Sequence, residues 1–396
     1  MPRPTSDRRA TERKHPWPMV RLGDVCEVIS SRGHQIKQSE ILPSGKYPVV
    51  SQSENPIEGF SDKEICIADV PIVLFGDHTC NVKLINDPFV VGADGTKLLK
   101  PNRHCMQYLY YCLQLLVLKL QDGKYRRHFG DLCDSEIPLP PLSVQREIVA
   151  RLERELAAVE KMKKGFEALA ETARAEFKAE LKEVFEEISR RGAEMRRLGE
   201  VLDTGAGGTP LKQHRDYYDG GNIPWLRSGE VCKKDITETE LFITVSGMEN
   251  SSAKLFPRDS VVVAMYGATA GQVGILRIES TTNQAVCAIF PSSKHVPEFL
   301  YYQLLGMKEE MVSQAQGGAQ PNISQIKIKN LRVCLPPLSA QREVVARLDA
   351  AKARAEKLEA KAREGVAVCE TMRKAILKEA FDDGRASPAI GKVAGR

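Results

Sequence analysis

The sequence predicts an α+β protein in which two β-rich globular domains are joined by two long helices that form an antiparallel coiled coil. It also predicts that the two halves form a tandem repeat with pseudo-two-fold symmetry. The main observation is that LPPLSVQREIVARL at residues 139–152 returns almost unchanged as LPPLSAQREVVARL at residues 335–348. Each copy opens a long stretch of helical periodicity and follows a region of short β-branched runs.

Shorter phrases repeat in the same order along the chain. RLGDV at residues 21–25 returns as RLGEV at residues 197–201, and LKEVF at residues 181–185 returns as LKEAF at residues 377–381. The segment from LPP to LKE has the same length in both copies, whereas the segment from RLG to LPP is longer in the second. The chain is therefore a tandem of one design, whose helical parts keep their length and whose globular parts differ.

The length-matched parts are predicted helices with one apolar stripe each. Apolar residues recur at steps of three and four from Ile148 to Ile188. The second stripe, from Val344 to Phe381, is thinner and is interrupted near Gly365. About 45 residues at 1.5 Å each give a helix of roughly 65 Å.

A helix of this length with one apolar stripe needs a partner. One interpretation is that each helix lies on its own globular domain. The equal lengths favour the other interpretation, in which the two helices pair with each other, antiparallel, along their whole run.

The helix ends define the predicted division of the chain. Ser143 and Ser339 are candidate N-caps, and Gly192 and Gly384 are candidate C-terminal stops. The predicted segments are a flexible tail (1–18), a first globular domain (19–138), a central long helix (139–192), a second globular domain (193–334), a C-terminal long helix (335–384) and a second flexible tail (385–396). Each globular domain should also carry a short amphipathic helix, at residues 106–120 and 297–307.

Composition excludes several classes of protein. Hydrophobic content of 42%, charged content of 28% and a net charge of +5 are ordinary for a globular protein and do not by themselves establish nucleic-acid binding. No apolar run is long enough for a membrane span. The ten cysteines lack metal-ligand spacing and predict reduced thiols without a zinc site.

Motifs for catalysis are also missing from the sequence. There is no GxxxxGK[ST] phosphate loop, no [ND]PP[YF] methyltransferase tetrad and no recognisable carboxylate cluster of a metal nuclease. The sequence therefore predicts a chain that is not itself an enzyme.

Polar loops offer candidates for binding instead. The loop GKYRRHFGDL interleaves Lys124, Arg126 and Arg127 with aromatic residues, including Tyr125, a combination suited to phosphates and base edges. The corresponding loop of the second copy, GGAQPNIS, holds Gln320 and Asn322, whose amides can pair with adenine. For each of these loops, an ordinary solvated turn is the alternative interpretation. The further candidates for contact with DNA are Lys97, Thr209, Lys212, Arg227, Tyr266, Thr269, Gln272, Asn283 and Gln284.

The motifs together resemble the specificity subunit of type I restriction–modification systems, over residues 19–384. The phrases that carry the resemblance are the two LPPLSxQRExVARL helix starts, the RLGxV domain starts, GGTP, GGNIPWLRSGEV, MYGATAGQVGIL, TTNQAV, GGAQPNIS and AILKEAF. The first globular domain lacks the GGTP, NQAV and AQPN phrases. It therefore resembles a different subtype of recognition domain.

The resemblance implies a DNA reader without catalytic activity. Two target-recognition domains would each read one half of a split sequence in double-stranded DNA, and the helix pair would set the gap. Two methyltransferase subunits that modify adenine, and restriction subunits, would bind to it. S-adenosylmethionine, ATP and Mg²⁺ would belong to those partners, with no cofactor on this chain. Its place would be the bacterial or archaeal cytoplasm, with the nucleoid and without a membrane.

Pseudo-two-fold symmetry independently predicts that the same partner binds twice, because such a chain presents the same surface twice. Three alternatives remain at the level of sequence. One is the specificity subunit of a related type II-like methyltransferase or nuclease. Another is a specificity chain that itself acts as an enzyme. The third is a coiled-coil scaffold whose globular domains bind something other than DNA.

Overall fold

The computed structural model describes residues 15–92, 95–120, 126–313 and 323–382. The chain forms two compact units. The first contains the chain up to Phe166 together with the chain from Glu364 onward, and the second contains Glu167–Arg363. Each long helix therefore contributes to both units. Within the described residues, no helix combines the length and the apolar character that crossing a membrane requires.

The first unit begins with a β-rich globular domain and includes the start of a long helix. Its elements are β1 (Met19–Arg21), α1 (Leu22–Val25), β2 (Cys26–Ile29), β3 (Tyr47–Val50), β4 (Gly59–Ser61), β5 (Ile72–Gly76), β6 (Val82–Ile85), β7 (Val90–Val91), β8 (Thr96–Pro101), α2 (Met106–Leu120), α3 (Phe129–Asp134), β9 (Glu136–Pro138) and the first part of α4 (Leu142–Arg190).

The strands of the first unit form three sheets. A four-stranded sheet has the order β2-β8-β5-β6, and a three-stranded sheet has the order β4-β3-β7, in which β3 and β7 are parallel. β1 pairs with β9 next to the start of α4. β5 is buried along its whole length, which fits its unbroken apolar sequence IVLFG.

The second unit repeats these elements. They are the remainder of α4, β10 (Met195–Arg197), α5 (Leu198–Val201), β11 (Thr204–Ala206), β12 (Ile223–Leu226), β13 (Asp235–Ile236), β14 (Phe242–Ile243), α6 (Val245–Glu249), β15 (Val261–Ala264), β16 (Val273–Leu276), β17 (Thr281–Thr282), β18 (Val286–Ile289), α7 (Pro297–Gly306), α8 (Lys308–Ser313), α9 (Gln325–Asn330), β19 (Arg332–Cys334) and the first part of α10 (Leu338–Asp382).

The sheets of the second unit have the same strand orders as those of the first. The large sheet is β11-β18-β15-β16-β13, and the smaller one is β14-β12-β17, in which β12 and β17 are parallel. β10 pairs with β19 as β1 pairs with β9. The additional strand β13, which lies parallel to β16 at the sheet edge, accounts for part of the extra length of this domain. The predicted α+β tandem repeat is therefore confirmed.

In both units the two long helices pair antiparallel. In the first unit, Lys163 bonds Glu370 (3.5 Å), and a Cβ at Gly365 would lie 2.5 Å from the ring of Phe166. The interruption that the sequence shows at Gly365 is thus the place where this ring packs.

In the second unit, salt bridges join the two helices. Arg174 forms one with Glu359 (3.0 Å), and Arg347 forms two, with Glu180 (2.5 Å) and Glu187 (3.1 Å). Residue numbers rise on one helix as they fall on the other, which is the antiparallel arrangement.

Both helices also pack on the globular domain of each unit. Ile148 and Leu152 of α4 join Leu377 and Phe381 of α10 in the first core. In the second core, Leu181 and Val184 of α4 join Leu348 of α10. Each interpretation of the apolar stripe is therefore correct in part. The two helices pair with each other, and they also pack on the globular domains.

The expected N-caps are corrected by the structure. α4 begins at Leu142 and α10 at Leu338, so Ser143 and Ser339 lie inside the first turn. The first helical bonds run to proline carbonyls, since the backbone N–H of Gln145 donates to Pro141 (3.0 Å). The prolines before each helix keep the chain that leads into it extended. A proline has no backbone N–H to donate, but its carbonyl can still accept a hydrogen bond from the first turn.

The two expected C-terminal stops have different outcomes. Gly192, two residues beyond the end of α4, has a left-handed φ of +84°, as a glycine after a helix end commonly has. Gly384 lies outside the described residues.

A buried glutamine ties each helix start to its globular domain. The side chain of Gln145 donates to the carbonyl of Pro140 (2.8 Å) and accepts from the backbone N–H of Cys105 (3.0 Å), next to α2. Gln341 donates to Pro336 (2.8 Å) and accepts from Val296 (2.7 Å), next to α7. These bonds explain why the glutamine is repeated inside the phrase.

We predict that Gln145→Ala destabilises the first unit by about 2–6 kcal/mol. The change leaves an N–H and a carbonyl without their partner, and each such buried group costs about 1–3 kcal/mol. Thermal unfolding of the purified chain measures the effect. Arg146→Ala, at the exposed neighbouring position, is the matched control and should leave the midpoint nearly unchanged. Equal midpoints for both variants would contradict the role of Gln145.

Candidate nucleic-acid interface

Four loops that the sequence singled out come together at one end of the second globular domain. They follow β11, β12, β15 and β17 and carry Thr209, Arg227, Tyr266 and Asn283 respectively. The short helical turn Ser228–Glu230 after β12 contacts the turn Gly267–Thr269 after β15.

Backbone hydrogen bonds fix these loops against one another. The N–H of Asn283 donates to Leu226 (2.9 Å), that of Gly208 to Thr282 (2.9 Å), and that of Met265 to Ala285 (2.7 Å). These bonds link the loop after β17 to the three other loops.

The two glycines of GGTP lie so close to neighbouring loops that a side chain would not fit. A Cβ at Gly207 would overlap the side chain of Thr282, and a Cβ at Gly208 would overlap the backbone at Ser252 and Ala253. The next residue, Thr209, donates its hydroxyl to the side-chain oxygen of Gln284. GGTP therefore holds Thr209 beside the TTNQAV loop.

The side chains on this cluster of loops are accessible. Tyr266 is 37% exposed and Gln284 is exposed, while Thr269, Gln272 and Asn283 are partly exposed. Hydroxyl and amide groups of this kind can donate to and accept from base edges. The fold therefore gathers these sequence-predicted groups, and their contact with DNA stays a prediction.

Arg227 lies in a less favourable setting for phosphate than its sequence suggested. Its guanidinium pairs with Glu230 (3.5 Å) and with Glu240, and Glu230 is only 13% exposed. Arg227 and Asn283 line a cleft of about 800 Å³ whose walls also include Asp235. A phosphate would therefore have to compete with two carboxylates for Arg227.

Lys212 is exposed on the loop after GGTP, near Pro210, whose carbonyl accepts from the hydroxyl of Tyr218 (2.6 Å). The sequence makes Lys212 a candidate for contact with DNA. The structure gives its loop an anchor, and its role also stays a prediction.

In the first globular domain, the basic loop reaches the end of β5. The N–H groups of His128 and Phe129 donate to Oδ1 of Asp77 (3.0 and 2.9 Å), and the His128 N–H also donates to the Asp77 carbonyl (2.9 Å). Asp77 thus caps the start of α3 from a neighbouring strand, because the first N–H groups of a helix lack partners within it.

Basic side chains from this loop and from β8 lie near that cap. Arg126 pairs with Asp131 of α3, Arg127 is exposed, and the ammonium of Lys97 lies 5.3 Å from the centre of the Phe129 ring. The candidates Lys124 and Tyr125 of this loop lie outside the described residues.

The matching loop of the second copy arrives at the corresponding place. Its last part enters the described residues at Ile323, whose N–H donates to Met265 (2.8 Å) at the end of β15. Gln320 and Asn322, which the sequence selected, lie outside the described residues.

Asp77 was missed by the sequence analysis. A single aspartate after a buried strand has the pattern of an ordinary turn residue. The only sequence signal was its place directly after the strand IVLFG, and its partners are far along the chain. Among the described residues, no group of three or more His, Cys, Asp or Glu side chains is arranged to hold a metal ion.

We predict that Asp77→Ala releases the basic loop. Loss of the cap should cost about 1 kcal/mol in the first unit. It should also weaken binding to duplex DNA of every sequence and flatten the salt dependence of the affinity. Asp77→Asn, which keeps an acceptor oxygen, is the matched control. The prediction is wrong if both variants bind DNA alike across a salt series.

Comparisons with known proteins agree with this arrangement. A relative, the specificity subunit of a type I restriction enzyme of Escherichia coli, is 22% identical over 353 residues, which cover 83% of this chain and 85% of the relative. Two solved structures share the fold. One, from work on complex assembly and conformational transition of the type I R-M system, has a TM-score of 0.69 and 22% identity and covers 94% of this chain and 100% of its own.

The other is the HsdS subunit of Thermoanaerobacter tengcongensis, with a TM-score of 0.52 and 20% identity over 95% of this chain and 99% of its own. The family profile described as type I restriction modification DNA specificity domain matches this chain twice, at residues 14–166 and 190–366. One match falls on each copy of the repeat, and together they cover most of the sequence. The chain belongs to the family of type I restriction–modification DNA specificity subunits.

Proposed function

We propose that this chain selects the DNA sequence on which a type I restriction–modification complex acts. The observation that carries the proposal is that polar loops gather at the end of β15 in the second unit, and that the basic loop meets the corresponding end of β5 in the first unit. Each domain would read one half of a bipartite target in the major groove, where base edges are distinguishable. The helix pair would set the number of unread base pairs between the halves.

The partners of the chain follow from the same proposal. Two methyltransferase subunits would dock on it, because a surface that is repeated by pseudo-two-fold symmetry offers the same site twice. Restriction subunits would join that complex. Methylation of adenine and cleavage, with S-adenosylmethionine, ATP and Mg²⁺, would belong to these partners, in the cytoplasm where chromosomal DNA lies.

The proposal predicts one bipartite methylation motif that depends on this chain. The chain is co-expressed with its cognate methyltransferase subunit in a host that lacks adenine methylation, and long-read sequencing maps the modified adenines. The methyltransferase subunit alone is the control and should give no such motif. Methylation by the purified chain alone would contradict the assignment of catalysis to partners, and a motif that forms without the chain would refute the proposal.

The role of the helices is tested by lengthening both of them together. Four residues are inserted after Phe166 in α4 and four after Arg363 in α10, at the boundary between the units, so that the contacts within each unit are kept. Four residues add about 6 Å of helix. The methylated motif should therefore keep both half-sequences and gain one or two base pairs in the gap, at about 3.4 Å each.

An insertion of two residues at the same places is the control. It turns the apolar stripe by roughly half a turn, since a turn takes 3.6 residues, and should abolish methylation of the bipartite motif. An unchanged gap in the four-residue variant, or altered bases on either side, would show that the helices do not determine the spacing.

A further inference from the structure

The strand registers give an internal correspondence between the two globular domains. After the parallel pair β3–β7, the N–H of Gly92 donates to Val50 (2.9 Å); after β12–β17, that of Asn283 donates to Leu226 (2.9 Å). Gly92 of the first domain therefore occupies the place of Asn283, and the turn that begins after Val50 corresponds to the turn that begins with Arg227.

A second set of bonds aligns the turns after β5 and β15. The N–H of Asp77 donates to Gly95 (2.8 Å), as that of Met265 donates to Ala285 (2.7 Å). The next residues, His78 and Tyr266, therefore correspond.

The far side of each turn closes in the same way. The N–H of Gly76 donates to Asn81 (2.9 Å), and that of Ala264 donates to Gln272 (2.9 Å). The residues before these acceptors, Cys80 and Gly271, both have left-handed backbone, with φ of 56° and 78°. Asn81 therefore occupies the place of Gln272.

The correspondence places Gln52 at the centre of the first domain's loop cluster. Its backbone carbonyl accepts from the hydroxyl of Thr79 (2.6 Å) and the amide of Asn81 (2.9 Å). Its side-chain oxygen accepts from the backbone N–H of His78 at 3.4 Å. A Cβ at Gly95 would lie 3.0 Å from the Gln52 amide nitrogen and 3.1 Å from the His78 ring, and the left-handed φ of +79° favours glycine where these groups meet.

Hydrogen bonds with Glu58 and Lys83 hold the loop that carries Gln52. Glu58 accepts from the hydroxyls of Ser51 (2.8 Å) and Ser53, and these bonds hold the pKa of its carboxyl below the usual range. Lys83 donates to the carbonyl of Ser51 (2.9 Å). A group that reads DNA is most effective on such a rigid support, because less motion has to be frozen on binding.

We infer that Gln52 and His78 are the base-reading residues of the first globular domain, with Thr79 and Asn81 positioning them. This inference rests on the proposed function. The Gln52 side-chain amide carries an NH₂ donor and an oxygen that can accept a second hydrogen bond beside that from the His78 N–H, and this is the pattern that pairs with the N7 and N6 edge of adenine in the major groove. Thr79 and Asn81 hold the Gln52 backbone and so fix where that amide is presented.

The test compares methylation motifs of complexes that contain variant chains. Gln52→Ala should lose discrimination at one base pair of one half-site by roughly 5- to 140-fold, the range expected for a lost bidentate contact. Gln52→Glu, which has nearly the same shape, should move the preference at that position toward cytosine, whose amino group a carboxylate accepts. Asn283→Ala in the second domain should alter the other half-site.

Gln38→Ala, at an exposed position in the helical turn Gln38–Glu40, is the matched control and should leave the motif unchanged. Intact reading of the second half-site shows that each variant is folded and assembled. The inference is overturned if both Gln52 variants give the wild-type motif, or if Gln52→Ala and Asn283→Ala alter the same half. Failure of the proposed function is distinguishable, since the wild-type complex would then give no bipartite motif.

Discussion

The rest of the architecture depends on the hydrogen bonds of the buried glutamine in each LPPLSxQRE phrase, which connect a long helix to its globular domain. Gln145 and Gln341 each join a carbonyl just before the long helix to an N–H next to the short helix of the globular domain. All the side-chain partners of the two amides are backbone groups. The side chains of the globular domain can therefore change without loss of these bonds, which accounts for a phrase that stays constant between domains that differ.

Features of the fold could be predicted from the sequence where they depend on residues that are close together along the chain. Helical periodicity is local, so the two long helices and the short helix at residues 106–120 could be predicted from spacing. The equal lengths of the long helices favoured their antiparallel pairing. The serine pattern predicts helix starts two residues late, because the N–H of Gln145 bonds the carbonyl of Pro141, which no side-chain pattern marks. The role of Gly365 depends on a ring nearly 200 residues away, which no local pattern reveals.

The candidate site was predictable only in part for a related reason. In the second domain, Thr209, Tyr266 and Asn283 stand in glycine- and amide-rich phrases that mark unusual loops, and the fold gathers them. In the first domain, Gln52 stands in a loop without such a phrase. Its correspondence emerges only when strand register is known. Glu240, which pairs with Arg227, likewise comes from a separate turn of the chain.

The charge of the chain bears on which subunits would contact the DNA phosphates. A net charge of +5 over 396 residues is small, and Arg126 and Arg227 are each paired with carboxylates of the same chain. Affinity for phosphates grows with the number of cations that displace counterions, so the chain by itself should hold DNA weakly. Discrimination then rests on amides and hydroxyls carried by braced loops. Under the proposed function, most of the phosphate contacts would have to come from the partner subunits, which would make stable DNA binding conditional on assembly.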